Sequence, residues 1–289
     1  MNQSQDKLRA KIEEISNLPT LPEMAERLMR TINNPKSSAR DVTLELSHDQ
    51  SLSAKVLRLA NSAFYGIPRA ISNVQNAVVI LGSKVIYSIV LSLTVFEMFP
   101  KGKSLFNRHE FWKHAICCAT FSKLLALQAR RRILFDPEEA FCAGLLHDIG
   151  RVVLEQYLHD DFERVLLYTK KREISLLRGE REVLGFDHTE IGKWLIARWN
   201  LPDSLIFPII FHHQPSLSKE AKEVVAMVHL ADQLCYEMGL VITDFPFSPP
   251  RERGAEELLQ LSEIDFDQAK RSTEAELDKI DEFVSLATK

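Results

Sequence analysis

Residues 144–150 read GLLHDIG, and the pair at their centre, His147 and Asp148, decides how the rest of the chain is read. Neighbours on an α-helix point about 100° apart, so both side chains reach one ion only at a helix end or bend. Gly144 and Gly150 flank the pair and predict such an irregularity. Outward from it the pattern is helical. Leu124, Leu125 and Leu127 follow Trp112 and Phe121. Leu44, Leu46, Leu52, Val56, Leu57 and Leu59 sit on short helical repeats. Glycine is scarce, at 10 residues, and strand-like alternation is almost absent. The expectation is an all-α protein of many helices of ordinary length.

Helix punctuation is frequent. Pro19 and Pro22 open a helix carrying Met24, Ala25, Leu28 and Met29, which Asn33, Asn34 and Pro35 end. Asp49 or Ser51 caps the next, and Tyr65, Gly66, Ile67 and Pro68 close it. The most apolar stretch, Ala77 to Phe99, is interrupted by Lys84 and Glu97. The run between them is too short to span a bilayer and reads as a buried core helix. Composition shifts at Pro100–Lys103 and in the proline-rich FPFSPPRERG, Phe245–Gly254. They divide the chain into 1–103, 104–244 and 245–289. Phe266, Leu277, Ile280, Phe283 and Leu286 give the last segment one amphipathic helix, expected to pack back on the body.

The chain has 289 residues, 36 basic and 40 acidic, for a net charge of −4. That balance predicts neither nucleic acid nor a membrane as partner. Arg130, Arg131 and Arg132 form a short basic run, read as a solvated helix end. Cys117, Cys118, Cys142 and Cys235 form no CxxC pair and lie among apolar residues, as buried thiols in a reducing cytoplasm would. The polar start MNQSQDKLRAKIEE gives no expectation of a signal peptide.

Around His147 and Asp148, ligand-type residues recur in apolar helical sequence. Glu110 and His114 in HEFWKHA stand four apart, on one helical face, a spacing that also suits a surface pair. His188 lies in FDHTEIG, and His212 and His213 follow the apolar LIFPIIF. Asp232 sits among Val228, Leu230, Ala231 and Leu234, where a carboxylate is costly unless paired or metal-bound. His48, His109, His159 and His229 are read as hydrogen-bonded core or surface histidines, although His229 precedes Asp232 by one turn. Asp148 can offer one oxygen to each of two ions. The eight residues together predict a divalent transition-metal centre, with imidazole and carboxylate suited to iron, manganese, nickel or zinc.

The order His114, His147–Asp148, Asp232 resembles the HD superfamily of metal-dependent phosphohydrolases. With Glu110, His188 and His212–His213 it is similar to the HD-GYP branch, whose site holds two or three metals. The first half resembles the HDOD family, the HD-related output domain of bacterial signalling. The motifs are LPTLPEMAERLM (18–29), SLSAKVLRLANSAFYG (51–66) and ISNVQNAVVILG (71–82). The resemblance implies an N-terminal helical bundle with an HD-type helical part, and signalling proteins as partners in trans. Many HDOD domains have lost the HD pair; this chain keeps it. It implies one metal on His114, His147, Asp148 and Asp232, a second on Asp148, His188, His212 and His213, and Glu110 completing the site. Asp148 and Arg151 are then the candidate catalytic residues, with Arg151 steadying a phosphate. QPSLSKEAKE follows the His–His pair where HD-GYP enzymes carry a Gly-Tyr-Pro loop, and Arg151 replaces a lysine. Arginine can hold a phosphate with two bonds but is a poor general acid. Two readings follow: a bacterial signal-transduction module with an occupied metal site, or a metal-dependent phosphohydrolase or phosphodiesterase acting on a nucleotide or cyclic dinucleotide.

Overall fold

Helix punctuation in the sequence becomes helix boundaries in space. The computed structural model describes residues 20–99, 106–129, 133, 135–199, 201–243, 247–252 and 254–288. The N-terminal segment through Pro19, the Pro100–Lys103 turn, Arg130–Arg132 and the Phe245–Pro246 start of the proline-rich stretch lie outside the described residues. Among those described there is no strand, as expected of an all-α chain. The helices fall into two compact units.

The first unit starts with α1 (Glu23–Asn33), entered at Pro22, and α2 (Ala39–Ser47). Ser38 and Asp41 satisfy the start of α2 with a reciprocal capping box. Asp49 caps α3 (Gln50–Ala60) by accepting from the Leu52 amide, which decides between the two caps the sequence allowed. A 3₁₀ turn (Ala63–Tyr65) follows and closes at Gly66, φ +62°. Asn61 clamps the loop beyond it, donating to Ile71 O and accepting from Ile71 N. The apolar Ala77–Phe99 stretch divides into α4 (Val74–Leu81) and α5 (Ser83–Met98), with Gly82 at φ +88° between them. Such a φ strains any residue with a Cβ, so the chain turns there. On α5, Ile86 and everything from Ser88 to Phe96 are buried, as a core helix requires. No single described helix is long and apolar enough to cross a membrane; α4 and α5 reach that length only as a pair bent by 117°.

The second unit carries α6 (Arg108–Ala129), α7 (Pro137–Leu146), α8 (Ile149–Tyr157), α9 (His159–Arg172) and α10 (Leu176–Leu184). Then follow α11 (His188–Ile196), α12 (Asp203–Phe211), α13 (Lys222–Glu237), α14 (Ala255–Leu259) and α15 (Glu263–Glu274). Helix α6 is the centre and packs on both α7 and α13. Its residues from Phe111 to Ala119 are buried apart from Lys113, so it is covered on all sides.

The sequence set 245–289 apart as a third segment ending in one helix. In the structure that segment is shared. The linker, α14 and most of α15 belong to the second unit, while a separate helix, α16 (Leu277–Ala287), belongs to the first. Ile280, Phe283 and Val284 on α16 are fully buried, and Phe283 packs 5.0 Å from Phe64 and 6.2 Å from Tyr65 between ring centres. Two half-buried rings of the NSAFYG turn, Phe64 and Tyr65, thus pack against α16.

Candidate metal centre

Six helices of the second unit converge on one buried cluster. His114 comes from the second turn of α6, and Asp232 from α13, which lies against it. His147 and Asp148 occupy the break between α7 and α8: His147 ends one helix and Asp148 starts the next, at φ −100°, ψ 12°. The break is what lets adjacent residues face one centre. The flanking glycines serve it through close approach. A Cβ on Gly150 would stand 1.9 Å from His188 O, and one on Gly144 would stand 2.7 Å from Ala119 Cα. Gly150 thus brings α8 against the start of α11, where His188 is the first residue. His212 ends α12 and His213 follows.

The seven side chains form two groups, His114–His147–Asp232 and Asp148–His188–His212–His213. Asp148 lies between them. Its Oδ1 is 3.0 Å from His188 Nε2 and 3.5 Å from His212 Nε2. Its Oδ2 is 3.5 Å from His147 Nε2 and 3.9 Å from His114 Nε2. Asp232 Oδ1 is 3.3 Å from His114 Nε2 and 3.8 Å from His147 Nε2. None of the seven is more than 8% exposed. Glu110 is half-buried on the first turn of α6 and belongs to neither group.

The orientation of the rings bears on what the cluster could hold. Nδ1 of His114, His147 and His212 donates to a backbone carbonyl: Leu240 O at 2.7 Å, Gly144 O at 2.7 Å and Pro208 O at 2.9 Å. His188 Nδ1 donates to Glu180 Oε2 at 2.5 Å. A carbonyl or carboxylate only accepts, so these Nδ1 atoms carry the protons and the Nε2 lone pairs point inward. There they meet one another, 3.4 Å between His114 and His147, 3.4 Å between His188 and His212, and 3.1 Å between His213 and His188. Lone pairs so placed repel unless a cation stands between them. Asp148 Oδ1, Asp232 Oδ1 and His213 Nδ1 are buried and make no hydrogen bond among the described residues. Buried polar atoms in that condition are costly. Imidazoles whose other nitrogen is held by a carbonyl or carboxylate are the usual arrangement around a bound metal. The residues fit a divalent first-row ion.

The electrostatics agree. Asp148, Asp232 and Glu180 bring three buried carboxylates against the single guanidinium of Arg151. Burial raises a carboxyl pKa, yet Arg151, His147 and His188 hold Asp148 well below the usual range. Burial likewise opposes a charge on His147, but Cys118, Asp148 and Asp232 outweigh it and lift its pKa to about 10. For His188 burial and Arg151 are outweighed by Glu180 and Asp148, to about 9. Burial, with His147 beside it, pushes His212 down to about 4, and burial with His212 and His188 holds His213 well below the usual imidazole range. The cluster thus favours a proton on His147 and His188 and a bare nitrogen on His212 and His213.

Arg151, expected to steady a phosphate, is 1% exposed. Its Nη1 bonds Asp148 Oδ2 and its Nε donates to Glu180 Oε1 at 3.1 Å. Only Nη2 is without a hydrogen bond there, and it too is buried. Glu180 is the residue that sequence reasoning passed over. It is fully buried, holds Arg151 with one oxygen, and takes both the backbone and the ring N–H of His188 with the other. A signal was there: Glu180 stands with Leu176, Leu177 and Leu184 on the apolar stripe of α10.

The HDOD domain profile matches residues 18–215, more than half of the chain. The chain belongs to the HDOD domain family. Solved structures agree. An HDOD domain protein of unknown function from Geobacter sulfurreducens is 25% identical with a TM-score of 0.82, covering 98% of this chain and 97% of its own. A candidate phosphohydrolase from Shewanella amazonensis SB2B is 27% identical with a TM-score of 0.74, at 97% of both chains. An uncharacterised protein of Treponema pallidum (strain Nichols) is 26% identical over 269 residues, 92% of this chain and 50% of that protein. This HDOD chain thus spans half the length of that curated relative.

Proposed function

We propose that this HDOD protein is a signal-transduction module whose second unit holds a two-metal centre. The observation that carries the reading is the set of inward Nε2 atoms around Asp148, with every Nδ1 but that of His213 occupied elsewhere. His114, His147, Asp148 and Asp232 would hold one ion, and Asp148, His188, His212 and His213 the other. The burial of all seven side chains favours a closed centre. A catalytic metal keeps a position open to substrate, whereas a structural one is enclosed. Two of the three Arg151 nitrogens are committed to Asp148 and Glu180, which makes it a holder of Asp148. The module's partners on this reading are signalling proteins in trans. Its four cysteines, free and buried, suit a reducing cytoplasm.

A second reading, a metal-dependent phosphohydrolase, is favoured by Asp148 itself. Its two oxygens face the two groups, as in a carboxylate that bridges a metal pair. Bound metals there would polarise a phosphate and acidify a water. The likeness to the Shewanella candidate phosphohydrolase supports this reading at the level of the family. Nucleotides and cyclic dinucleotides are its substrate classes.

Metal analysis of the purified chain, beside a hydrolysis screen over phosphomonoesters, nucleotides and cyclic dinucleotides, separates the readings. The expected result is about two ions per chain, lost in His147→Ala, with no turnover. A chain that binds no first-row metal overturns both readings. Turnover that disappears with His147→Ala replaces the first with the second.

A further inference from the structure

Residues within the proline-rich stretch reach back to the candidate metal ligands through a histidine that is not one of them. Segment 247–252 lies along α13. Ser248 Oγ donates to Gln233 Oε1 at 3.0 Å, and Gln233 Nε2 donates to Pro249 O at 3.3 Å. Arg251 pairs with Glu237 at 3.3 Å. At Glu252 the segment makes two kinds of contact. Its backbone N–H donates to His229 Nε2 at 3.0 Å. Its carboxylate accepts from Ser216 N at 2.9 Å and from Ser216 Oγ at 2.5 Å. His229, fully buried, passes the first contact on: its Nδ1 donates to His212 O at 2.7 Å.

The chemistry of these bonds fixes the role of His229. An amide N–H only donates and a carbonyl only accepts, so the ring is neutral with its proton on Nδ1. Both nitrogens are used, and neither is left for a metal. The loop that carries His212 and His213 is held at His212 through His229 and at Ser216 directly, both from Glu252. Ser216 is exposed and Glu252 half-buried, while His212 is fully buried. The clamp at the surface therefore connects to ligands that solvent does not reach.

We propose that Glu252 and His229 are positioning residues for the Asp148–His188–His212–His213 group. Holding or releasing the 247–252 strap then regulates the metal affinity of that group. The proposal rests on the metal-centre reading above. It gives the signalling module a route by which a partner that displaces the strap changes the centre without touching a ligand.

The test uses the full chain and two substitutions at the half-buried end of the relay. Glu252→Ala removes the clamp on Ser216. Glu252→Gln keeps an acceptor for Ser216 N and offers its amide N–H to Ser216 Oγ in place of the oxygen that accepted from it. Amide hydrogens of residues 212–218 are expected to exchange about tenfold faster in Glu252→Ala and at the wild-type rate in Glu252→Gln. Zn(II) affinity, measured against a chromogenic chelator, is expected to fall about tenfold in the first variant only. Unchanged exchange in Glu252→Ala overturns the strap. Faster exchange with unchanged Zn(II) affinity shows a strap that does not position ligands, and also overturns the proposal. A wild-type chain that binds no Zn(II) or other first-row metal overturns the metal centre instead, and the exchange rates still decide whether the strap holds the loop.

Discussion

Glu180 and Arg151 show how much of the centre depends on residues that would touch no ion. Glu180 sets the tautomer and angle of His188, and Arg151 occupies the Asp148 oxygen that also faces His147. An outer partner of this kind commonly contributes ten- to a hundredfold in metal affinity. Glu180→Gln is therefore expected to weaken metal binding by about that factor while the chain stays folded, read by chelator competition and circular dichroism. Unchanged affinity would mean that Glu180 serves the fold alone. The ligand types themselves were legible in the sequence, because imidazoles and carboxylates in apolar helices need partners. Their grouping was not. Glu110, at good helical spacing from His114, lies outside both groups, since the first turn of α6 leaves it half-buried. Glu180 escaped notice because its helix is rich in charge, although its place on the apolar stripe with Leu176, Leu177 and Leu184 separates it from Glu182 on the same helix.

At the scale of elements, the decisive feature is the interruption between α7 and α8. His147 and Asp148 share a centre because two helices meet there, and the meeting depends on how closely α8 and α11 approach at Gly150. Gly150→Ala would place a methyl 1.9 Å from a backbone oxygen, which no rotamer relieves. The expected cost is about 1–3 kcal/mol, typical of overpacking, or more, read as a lower Tm together with weakened metal binding as α11 moves off. A variant with wild-type Tm would show that α8 and α11 separate freely. The sequence marked the two glycines, but for backbone irregularity; the structure uses them for contact. It read Ala77–Phe99 as one apolar stretch and the tail as one helix. Gly82 turns the first, and a turn at residues 275–276, with no proline or glycine to announce it, divides the second.

On the scale of the whole molecule, the candidate metal ligands all lie in one of two units. Metal that binds only the folded state stabilises the unit that holds it, by about 2.7 kcal/mol at a hundred times its Kd. Chelation is expected to lower the calorimetric transition of the second unit while amide protection in α1–α5 and α16 stays at its metal-bound level. Equal loss of protection in both units would contradict a centre confined to one. The sequence by itself determined the helical class, the family and the kinds of ligand, because periodicity, motif order and residue chemistry are local or linear properties. Tertiary structure decided which candidate ligands share a group, that Glu180 bonds His188 and His229 bonds His212, that Arg151 turns inward to Asp148, and that the last helix belongs with the first ones. Those outcomes depend on burial and on distances between residues far apart in the chain, and burial is settled only once helices pack.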